Sequence, residues 1–313
     1  MTSGLVIVVH LAWALAVTPV LIGLMRTTRA RLEGRVGAGV LQPWRDLRKL
    51  LTKEPTRAPG STAVLGLAPI LLVGSSLVLC ALIPLVGTTA LARVPGDLFV
   101  VVAVLLVGTV ALALLGLESG TAFGGMGSSR HMLIAALVEP TVLLSIYALS
   151  VPAGTSALSA IVESRIADPS SLMNPVSLLA IFALAVVVVA ETGRLPVDNP
   201  STHLELTMIH EAMILESGGR DLGWLELGSW LRLTALLGLV SNLALPWGVA
   251  LGAAPLSLLV GVLAVTVKVA VLGAALAAVE VFIAKLRLFR VPELLAGSFV
   301  LAFLSVSASY LVF

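Results

Sequence analysis

The chain has 313 residues, of which 58% are hydrophobic and 12% are charged, whereas soluble domains average roughly 45–50% and about 25%. A soluble core of this size cannot hide so much apolar surface, so the solvent around most of the chain is lipid. The composition and the formal net charge of +2 exclude a soluble enzyme, a disordered protein and a nucleic-acid-binding protein. The single cysteine, Cys80, excludes a disulfide framework and an iron–sulfur cluster ligated within the chain.

Eight largely uncharged stretches are long enough to cross a membrane as helices, because the hydrocarbon core takes roughly 20 apolar residues. The predicted spans are Gly4–Met25, Thr62–Pro84, Leu98–Leu117, Met132–Ser150, Leu172–Ala190, Leu233–Leu251, Pro255–Val279 and Leu294–Phe313. The sixth and seventh spans are separated at Ala253–Pro255, since 35 consecutive uncharged residues are too many for one helix. The sequence therefore predicts an all-α integral membrane protein with a single polytopic domain, residues 1–313.

The basic residues are distributed very unevenly between the predicted loops. Fifteen of the 19 Lys and Arg residues lie in loops after odd-numbered spans, and two lie in loops on the opposite side. The remaining two are Arg232, at the mouth of the sixth span, and Lys268, within the seventh. Because cytoplasmic loops carry an excess of Lys and Arg, we predict a multi-pass protein of the cell inner (plasma) membrane. Its odd-numbered loops are cytoplasmic and both termini lie outside.

Two of the predicted cytoplasmic loops, residues 26–60 and 191–229, are longer than simple connectors. Within the first, apolar positions of Gln42–Leu51 recur at helical spacing opposite a basic face, which predicts a short amphipathic helix along the membrane surface. Within the second, Asp198 or Asn199 can cap a helix that runs to about residue 216. Its acidic and apolar residues favour packing against another protein, and a solvated connector is the alternative.

The glycine-rich segment Gly124–Arg130 joins two predicted spans. It lacks the Lys-Ser/Thr pair of a phosphate-binding P-loop. We therefore predict a flexible turn there.

Five charged residues lie within the predicted spans or at their cytoplasmic ends. Glu139 and Lys268 interrupt spans, and Glu118, Glu191 and Glu280 lie at span ends. A charge inside the bilayer costs about 2.5–3.5 kcal/mol on insertion scales and is by default a functional hypothesis. These residues are predicted to form a chain of titratable groups that passes protons laterally. The alternatives are solvation of the three end residues and a structural ion pair of Glu139 with Lys268.

The histidines do not form a recognisable catalytic or metal motif. His210 and Glu211 begin a His-Glu-x-x-His pattern, but Ile214 stands where its second histidine is required. His203 and His210 are seven residues apart, and hydrogen bonding at an interface explains them better than a two-histidine metal site. No arrangement typical of nucleophilic catalysis is present. The chain is therefore predicted to hold no metal, no cofactor and no active site of its own.

Two loop motifs resemble the signatures of a known family. Residues 39–54, GVLQPWRDLRKLLTKE, are similar to the first signature of the complex I subunit 1 family, and residues 191–198, ETGRLPVD, resemble its second. The continuation 199–213, NPSTHLELTMIHEAM, resembles the hydrogenase branch, of the formate hydrogenlyase subunit 4 type in group 4 NiFe-hydrogenase complexes. Quinone-reducing members carry acids where this chain has Ser201 and His203. This difference favours a hydrogenase-type or ferredoxin-linked complex.

The resemblance implies a membrane-anchor and proton-pathway subunit of an oxidoreductase complex. Such a subunit docks soluble hydrogenase-like large and small subunits, which hold 4Fe-4S clusters and a NiFe centre, and adjoins antiporter-like membrane subunits. The residues expected to shape the junction with the soluble arm are Gln42, Trp44, Arg45, Asp46, Arg194, Asp198, His203, Glu205, His210 and Glu211. The alternatives are the quinone-binding membrane subunit of an NADH-quinone oxidoreductase-type complex and a stand-alone secondary ion transporter.

Overall fold

The computed structural model describes residues 2–57, 61–88, 97–198 and 208–312. Within these ranges the chain is helical, and its strand-like pairings are two isolated bridges. The α-helices of the described ranges are α1 (Thr2–Leu32), α2 (Gln42–Leu51), α3 (Val64–Leu82), α4 (Leu98–Glu118), α5 (Ala122–Ser150), α6 (Leu158–Ala167), α7 (Pro175–Glu191), α8 (His210–Ile214), α9 (Gly219–Ala244), α10 (Pro255–Phe282) and α11 (Val291–Val312). Two short 3₁₀ turns are Pro169–Leu172 and Leu288–Arg290.

Seven of these helices, α1, α3, α4, α5, α9, α10 and α11, are long and apolar enough to cross a membrane. The helix α7 corresponds to the remaining predicted span and is also apolar, but it has 17 residues. Helices satisfy their backbone hydrogen bonds internally, which lipid requires of any spanning segment. The prediction of an all-α, multi-pass membrane protein is confirmed.

The helix α9 begins at Gly219, well before the predicted start of the sixth span at Leu233. The predicted loop 191–229 therefore ends inside a helix, and Arg232 lies in the middle of that helix rather than at its mouth. In α9, 89% of the most apolar stretch is buried inside the protein, compared with 28% in α10 and α11. A helix that is surrounded by protein can carry charged residues such as Glu226 and Arg232. These residues lower the hydropathy of the first half of α9, so the helix start is not evident from the sequence.

The predicted flexible turn at Gly124–Arg130 is wrong, because this segment lies within α5. The connection between α4 and α5 is shorter, at residues 119–121, and Thr121 caps α5 by accepting a hydrogen bond from the amide of Gly124 at 3.1 Å. The glycines allow two helices to approach closely. A Cβ atom on Gly124 would lie 2.3 Å from the carbonyl oxygen of Gly116.

The second long loop also differs from its prediction. Of the helix predicted from residue 198 to 216, the described residues contain only α8, and Met208 and Ile209 are not helical. The rest of that prediction, residues 199–207 with His203 and Glu205, lies outside the described residues. The helix α6 replaces part of a predicted loop. In contrast, α2 occupies the segment where a short helix was predicted, with Pro43 and Leu47 buried.

The loops that follow odd-numbered spans contact each other at one end of the helical bundle. Arg57 forms a salt bridge with Asp221, in the first turn of α9, at 2.8 Å. Lys285, after α10, forms one with Asp198, after α7, at 2.9 Å. The first long loop is therefore joined to the start of α9, and the second to the segment after α10.

The remaining loops meet at the opposite end. The amide of Ala250, between α9 and α10, donates to Val86 at 2.9 Å, and its carbonyl accepts from Thr88 at 2.9 Å. The amide of Leu98, at the start of α4, donates to Ser156 at 3.1 Å. This arrangement agrees with the alternation expected when successive spans run in opposite directions.

We expect Gly124→Ala to lower the free energy of unfolding by about 1–3 kcal/mol, the usual cost of overpacking a core. The new methyl group would overlap the backbone of α4, which cannot move as a side chain can. Gly125→Ala is the matched control, because no atom lies within 4 Å of a Cβ built there. Thermal unfolding of the detergent-solubilised protein measures the difference. Equal melting temperatures for the two variants would contradict the close approach of α4 and α5.

Candidate functional site

A buried salt bridge joins α9 to the end of α7. The Nη2 atom of Arg232 donates to the carboxylate of Glu191, and the two side chains are 6% and 2% exposed. The same nitrogen donates to the carbonyl of Leu105 at 2.9 Å and to the hydroxyl of Thr109 at 2.6 Å, both on α4. The guanidinium therefore connects three helices. Its carboxylate partner supplies the charge compensation that a buried cation requires.

The neighbouring backbone of α4 is shaped to accept this guanidinium. A Cβ atom built on Gly108 would lie 3.1 Å from Nη1 of Arg232 and 3.0 Å from the hydroxyl of Ser75. Because the position has no side chain, the guanidinium can lie against α4.

A second acid, Glu139 on α5, belongs to the same group. Its carboxylate interacts electrostatically with Glu191 and Arg232 and lies beside Thr109. Its Oε1 atom is buried and has no hydrogen-bond partner among the described residues. One guanidinium thus lies near two carboxylates, and among the described residues its salt bridge is with Glu191. The formal charges of the three side chains sum to zero when one acid is protonated and to one negative charge when both are ionised.

Two neighbouring cavities lie beside this group. The larger has a volume of about 270 Å³ and is lined by charged residues that include Arg26, Arg29 and Glu226. The smaller, of about 60 Å³, is lined by both Glu191 and Arg232. Four residues line both cavities, namely Thr192, Gly193, His210 and Ser229. The cavities therefore adjoin each other between the loop after α7 and the middle of α9.

The loop after α7 is tied to α10 at the larger cavity. Arg194 forms a salt bridge with Glu280 at 3.5 Å, and the two side chains are 19% and 4% exposed. Burial lowers the pKa of Arg194, and the Glu280 carboxylate acts in the opposite direction. Asp198 also accepts a hydrogen bond from the amide of His210 at 3.1 Å. These contacts hold the loop against the bundle.

The structure brings three of the predicted proton-pathway residues to this region and leaves two outside it. Glu139 and Glu191 lie together, and Glu280 lines the larger cavity. Glu118 instead accepts a hydrogen bond from the amide of Thr62, just before α3, at 2.5 Å. Lys268 donates to Asn242 at 3.1 Å. The described residues contain no salt bridge between Glu139 and Lys268, so the alternative of a structural pair between them is wrong.

The predicted junction residues fall into two described groups. On α2, Gln42 donates to Asp46 at 2.9 Å, while Trp44 and Arg45 are exposed. Arg194, His210 and Glu211 line the larger cavity, and Asp198 lines the smaller. His203 and Glu205 lie outside the described residues.

Arg232 was not predicted from the sequence as part of a site, and neither were Thr109, His131 and Ser229. Arg232 could have been found by extending the sixth span towards its N-terminus at helical periodicity. Thr109, His131 and Ser229 carry no such signal, because an isolated polar residue in an apolar helix is common. Among the described residues, no group of three or more His, Cys, Asp or Glu side chains could hold a metal ion.

Comparisons with known proteins agree on the kind of chain this is. The profile of the family described as NADH dehydrogenase matches residues 5–310. The "Formate hydrogenlyase subunit 4" of Escherichia coli (strain K12) is 31% identical over 290 residues, which is 93% of each chain. The "Hydrogenase-4 component C" of the same organism is 31% identical over 249 residues, covering 79% of this chain and 78% of the relative.

A solved structure has the same fold. It is a chain of the membrane-bound sulfane sulfur reductase, described as an archaeal respiratory membrane complex, with a TM-score of 0.83 and 21% sequence identity. The match covers 99% of this chain and 100% of the other. At this identity the likeness concerns the fold alone.

We expect Arg232→Met to destabilise the protein by about 3–5 kcal/mol, because it leaves the Glu191 carboxylate buried without its partner. The double variant Arg232→Met/Glu191→Gln should recover much of this loss, since it removes the stranded charge as well. Arg220→Met, an exposed arginine on the same helix, is the control. The yield of folded protein and its thermal unfolding in detergent measure the effect. A double variant no more stable than the single one would contradict the pairing.

Proposed function

The chain belongs to the NADH dehydrogenase family, as a membrane subunit of respiratory or hydrogenase-type complexes, and we propose that it anchors a soluble redox arm and begins an ion path through the membrane. The observation that carries this proposal is the buried group of Glu139, Glu191 and Arg232. Two acids that share one cation give the group an exchangeable proton, and the adjoining cavities lead from it to the loop after α7.

The proposed proton path runs between that loop and the interior of the bundle. It begins at the larger cavity, where Glu280 and Arg194 face each other. It continues past Glu191 to Glu139, near the middle of α5. Glu118 and Lys268 have no contact with this route, and their place in a proton pathway stays a prediction.

The proposed docking surface lies on the end of the bundle where the long loops meet. The exposed Trp44 and Arg45 on α2 and the residues of the loop after α7 lie at this end. We propose that the soluble arm contacts them, so that a change at the arm reaches the salt bridges of Arg194 and Asp198. Those salt bridges attach the loop to α10 and to the segment that follows it.

The partners we propose are soluble hydrogenase-like large and small subunits and antiporter-like membrane subunits. The 4Fe-4S clusters and the NiFe centre would belong to those soluble subunits, and this chain would bind neither. The names of the two relatives support a hydrogenase-type complex over the quinone-binding subunit of an NADH-quinone oxidoreductase. They also argue against a stand-alone ion transporter, because both names denote parts of larger assemblies.

We further propose that the chain crosses the inner (plasma) membrane eight times, with α7 as the fifth span and both termini outside. The helix α2 would lie along the membrane surface, with Pro43 and Leu47 against the protein and Arg48 and Lys49 exposed. The grouping of alternate loops at opposite ends of the bundle supports an even number of crossings. The distribution of basic residues supports the orientation.

This orientation predicts the labelling of single cysteines placed at exposed positions. In a Cys80→Ser background, Met173→Cys should react with a membrane-impermeant thiol reagent in intact cells, and Arg48→Cys should react only after the cells are opened. Both positions are exposed, and Met173 is 80% exposed. Labelling of Arg48→Cys in intact cells would reverse the proposed orientation.

We expect Glu139→Gln to reduce ion translocation while leaving the complex assembled. Glutamine keeps the size and hydrogen bonding of the side chain but removes the proton that the group exchanges, and a positioned proton-transfer group is typically worth about 10²–10⁴-fold in rate. The complex would be purified through a tag on this chain, its subunits identified by mass spectrometry, and the ions moved per electron measured in proteoliposomes. Glu163→Gln, an exposed acid on α6, is the control.

The outcomes separate the parts of the proposal. A tagged chain that purifies without any redox subunit would contradict the anchoring role. A Glu139→Gln complex that assembles and moves ions at the normal ratio would contradict the proton path.

A further inference from the structure

The smaller cavity is surrounded by buried polar atoms that have no hydrogen-bond partner among the described residues. They are the Nε2 atom of His131 on α5, the hydroxyl of Ser229 on α9 and the Nε atom of Arg232 on α9. All three residues line the cavity, together with Glu191. The polar atoms thus come from two helices and surround one space.

Leaving a buried polar group unpaired is energetically unfavourable, so three such groups around one cavity indicate that something pairs with them. A polar cavity binds a water molecule when it offers about 10–15 Å³ and two to four polar partners. The volume of about 60 Å³ leaves room for more than one.

The chemistry of the lining favours a neutral ligand over an ion. Arg232 would repel a cation and Glu191 would repel an anion, and the two already compensate each other. The Nε–H group of Arg232 can only donate, the hydroxyl of Ser229 can donate and accept, and Nε2 of His131 does one or the other according to its tautomer. Water matches such a mixed set of donors and acceptors, because it both donates and accepts.

We propose that the smaller cavity is a binding site for ordered water held by His131, Ser229 and Arg232, and that this water connects the larger cavity to the Glu139–Glu191 acids. The two cavities share the lining residue Ser229, so the water lies between the larger cavity and the carboxylate of Glu191, which lines the smaller cavity. A proton enters from the larger cavity when one water molecule accepts it. That water then donates a different proton to the next water molecule. The last water donates to a carboxylate oxygen, which becomes neutral, and no electrons are exchanged.

In this arrangement His131 is a positioning residue, and the hydrogen bond of its ring nitrogen matters rather than its own charge. The inference rests on the proposed proton path, because it names how the proton reaches the acids. It adds His131 on α5 as a polar contact. Neither the loop motifs nor the charged residues of the sequence had indicated this residue.

The test uses the purified complex in proteoliposomes and compares four variants, together with Glu139→Gln, by the number of ions moved per electron. His131→Phe places an apolar ring in the cavity and should lower the ratio by about tenfold or more, as expected when a proton-transfer step is blocked. His131→Gln keeps a donor and an acceptor and should retain most of the ratio. Ser229→Val narrows the cavity from α9 and should act like His131→Phe, which keeps the inference testable where His131→Phe fails to assemble. Leu133→Phe, on the exposed face of the same helix, is the matched control and should leave the ratio unchanged.

Each outcome decides between the inference and the function on which it rests. A normal ratio in both His131→Phe and Ser229→Val, with a low ratio in Glu139→Gln, would overturn the water site and leave the proton path intact. A normal ratio in all of them, Glu139→Gln included, would overturn the proton path itself. Equal loss in His131→Gln and His131→Phe would overturn the positioning role, because histidine would then act through its own proton. Ordered density in the cavity of the complex, absent from His131→Phe, is the direct structural result expected.

Discussion

Arg232 and Glu191 form the salt bridge around which the helices of this protein are arranged. A guanidinium buried among membrane helices needs a carboxylate beside it to compensate its charge. Thr109 and the carbonyl of Leu105 supply further contacts, so one side chain holds α4, α7 and α9 at the same point. Because the charge is compensated inside the protein, α9 can occupy the centre of the bundle despite having the lowest hydropathy of the seven long apolar helices.

The far end of α9 is held by a second set of polar contacts. Asn242 donates to the carbonyls of residues 84 and 85 at 2.8 Å and accepts from Lys268 on α10. Arg165 on α6 donates to the carbonyl of Leu243 at 2.8 Å, in the last turn of α9. Cations at the C-terminal end of a helix also interact favourably with its dipole. The central helix is therefore anchored by hydrogen bonds at its end as well as by the salt bridge in its middle, and apolar packing fills the length between them.

The proposed proton path rests on an imbalance of charge in this network. Arg232 compensates the charge of Glu191, and Glu139 brings a second acid near the same guanidinium, so one negative charge is left uncompensated when both acids are ionised. The cavities connect this group to a loop that is bound to neighbouring elements through Arg194 and Asp198. The buried charges around Arg232 and the loop after α7 therefore border the same pair of cavities. The proposed coupling between a soluble arm and the buried acids would pass through these contacts.

Composition, hydropathy and the two loop motifs were sufficient to establish the membrane class, the approximate positions of most helices and the family, because lipid demands long apolar segments and the motifs are long and specific. They also indicated Glu139 and Glu191 as embedded acids, since any charge in an apolar run is conspicuous. The three-dimensional packing was needed to show where α9 begins, that Gly124 lies within a helix, and that Arg232 pairs with Glu191 while Lys268 donates to Asn242. The reason is that hydropathy records contact with lipid, whereas these features depend on which helices a residue meets inside the protein. The environment of a polar residue that faces protein is determined by its contact partners, and those partners are distant in the sequence.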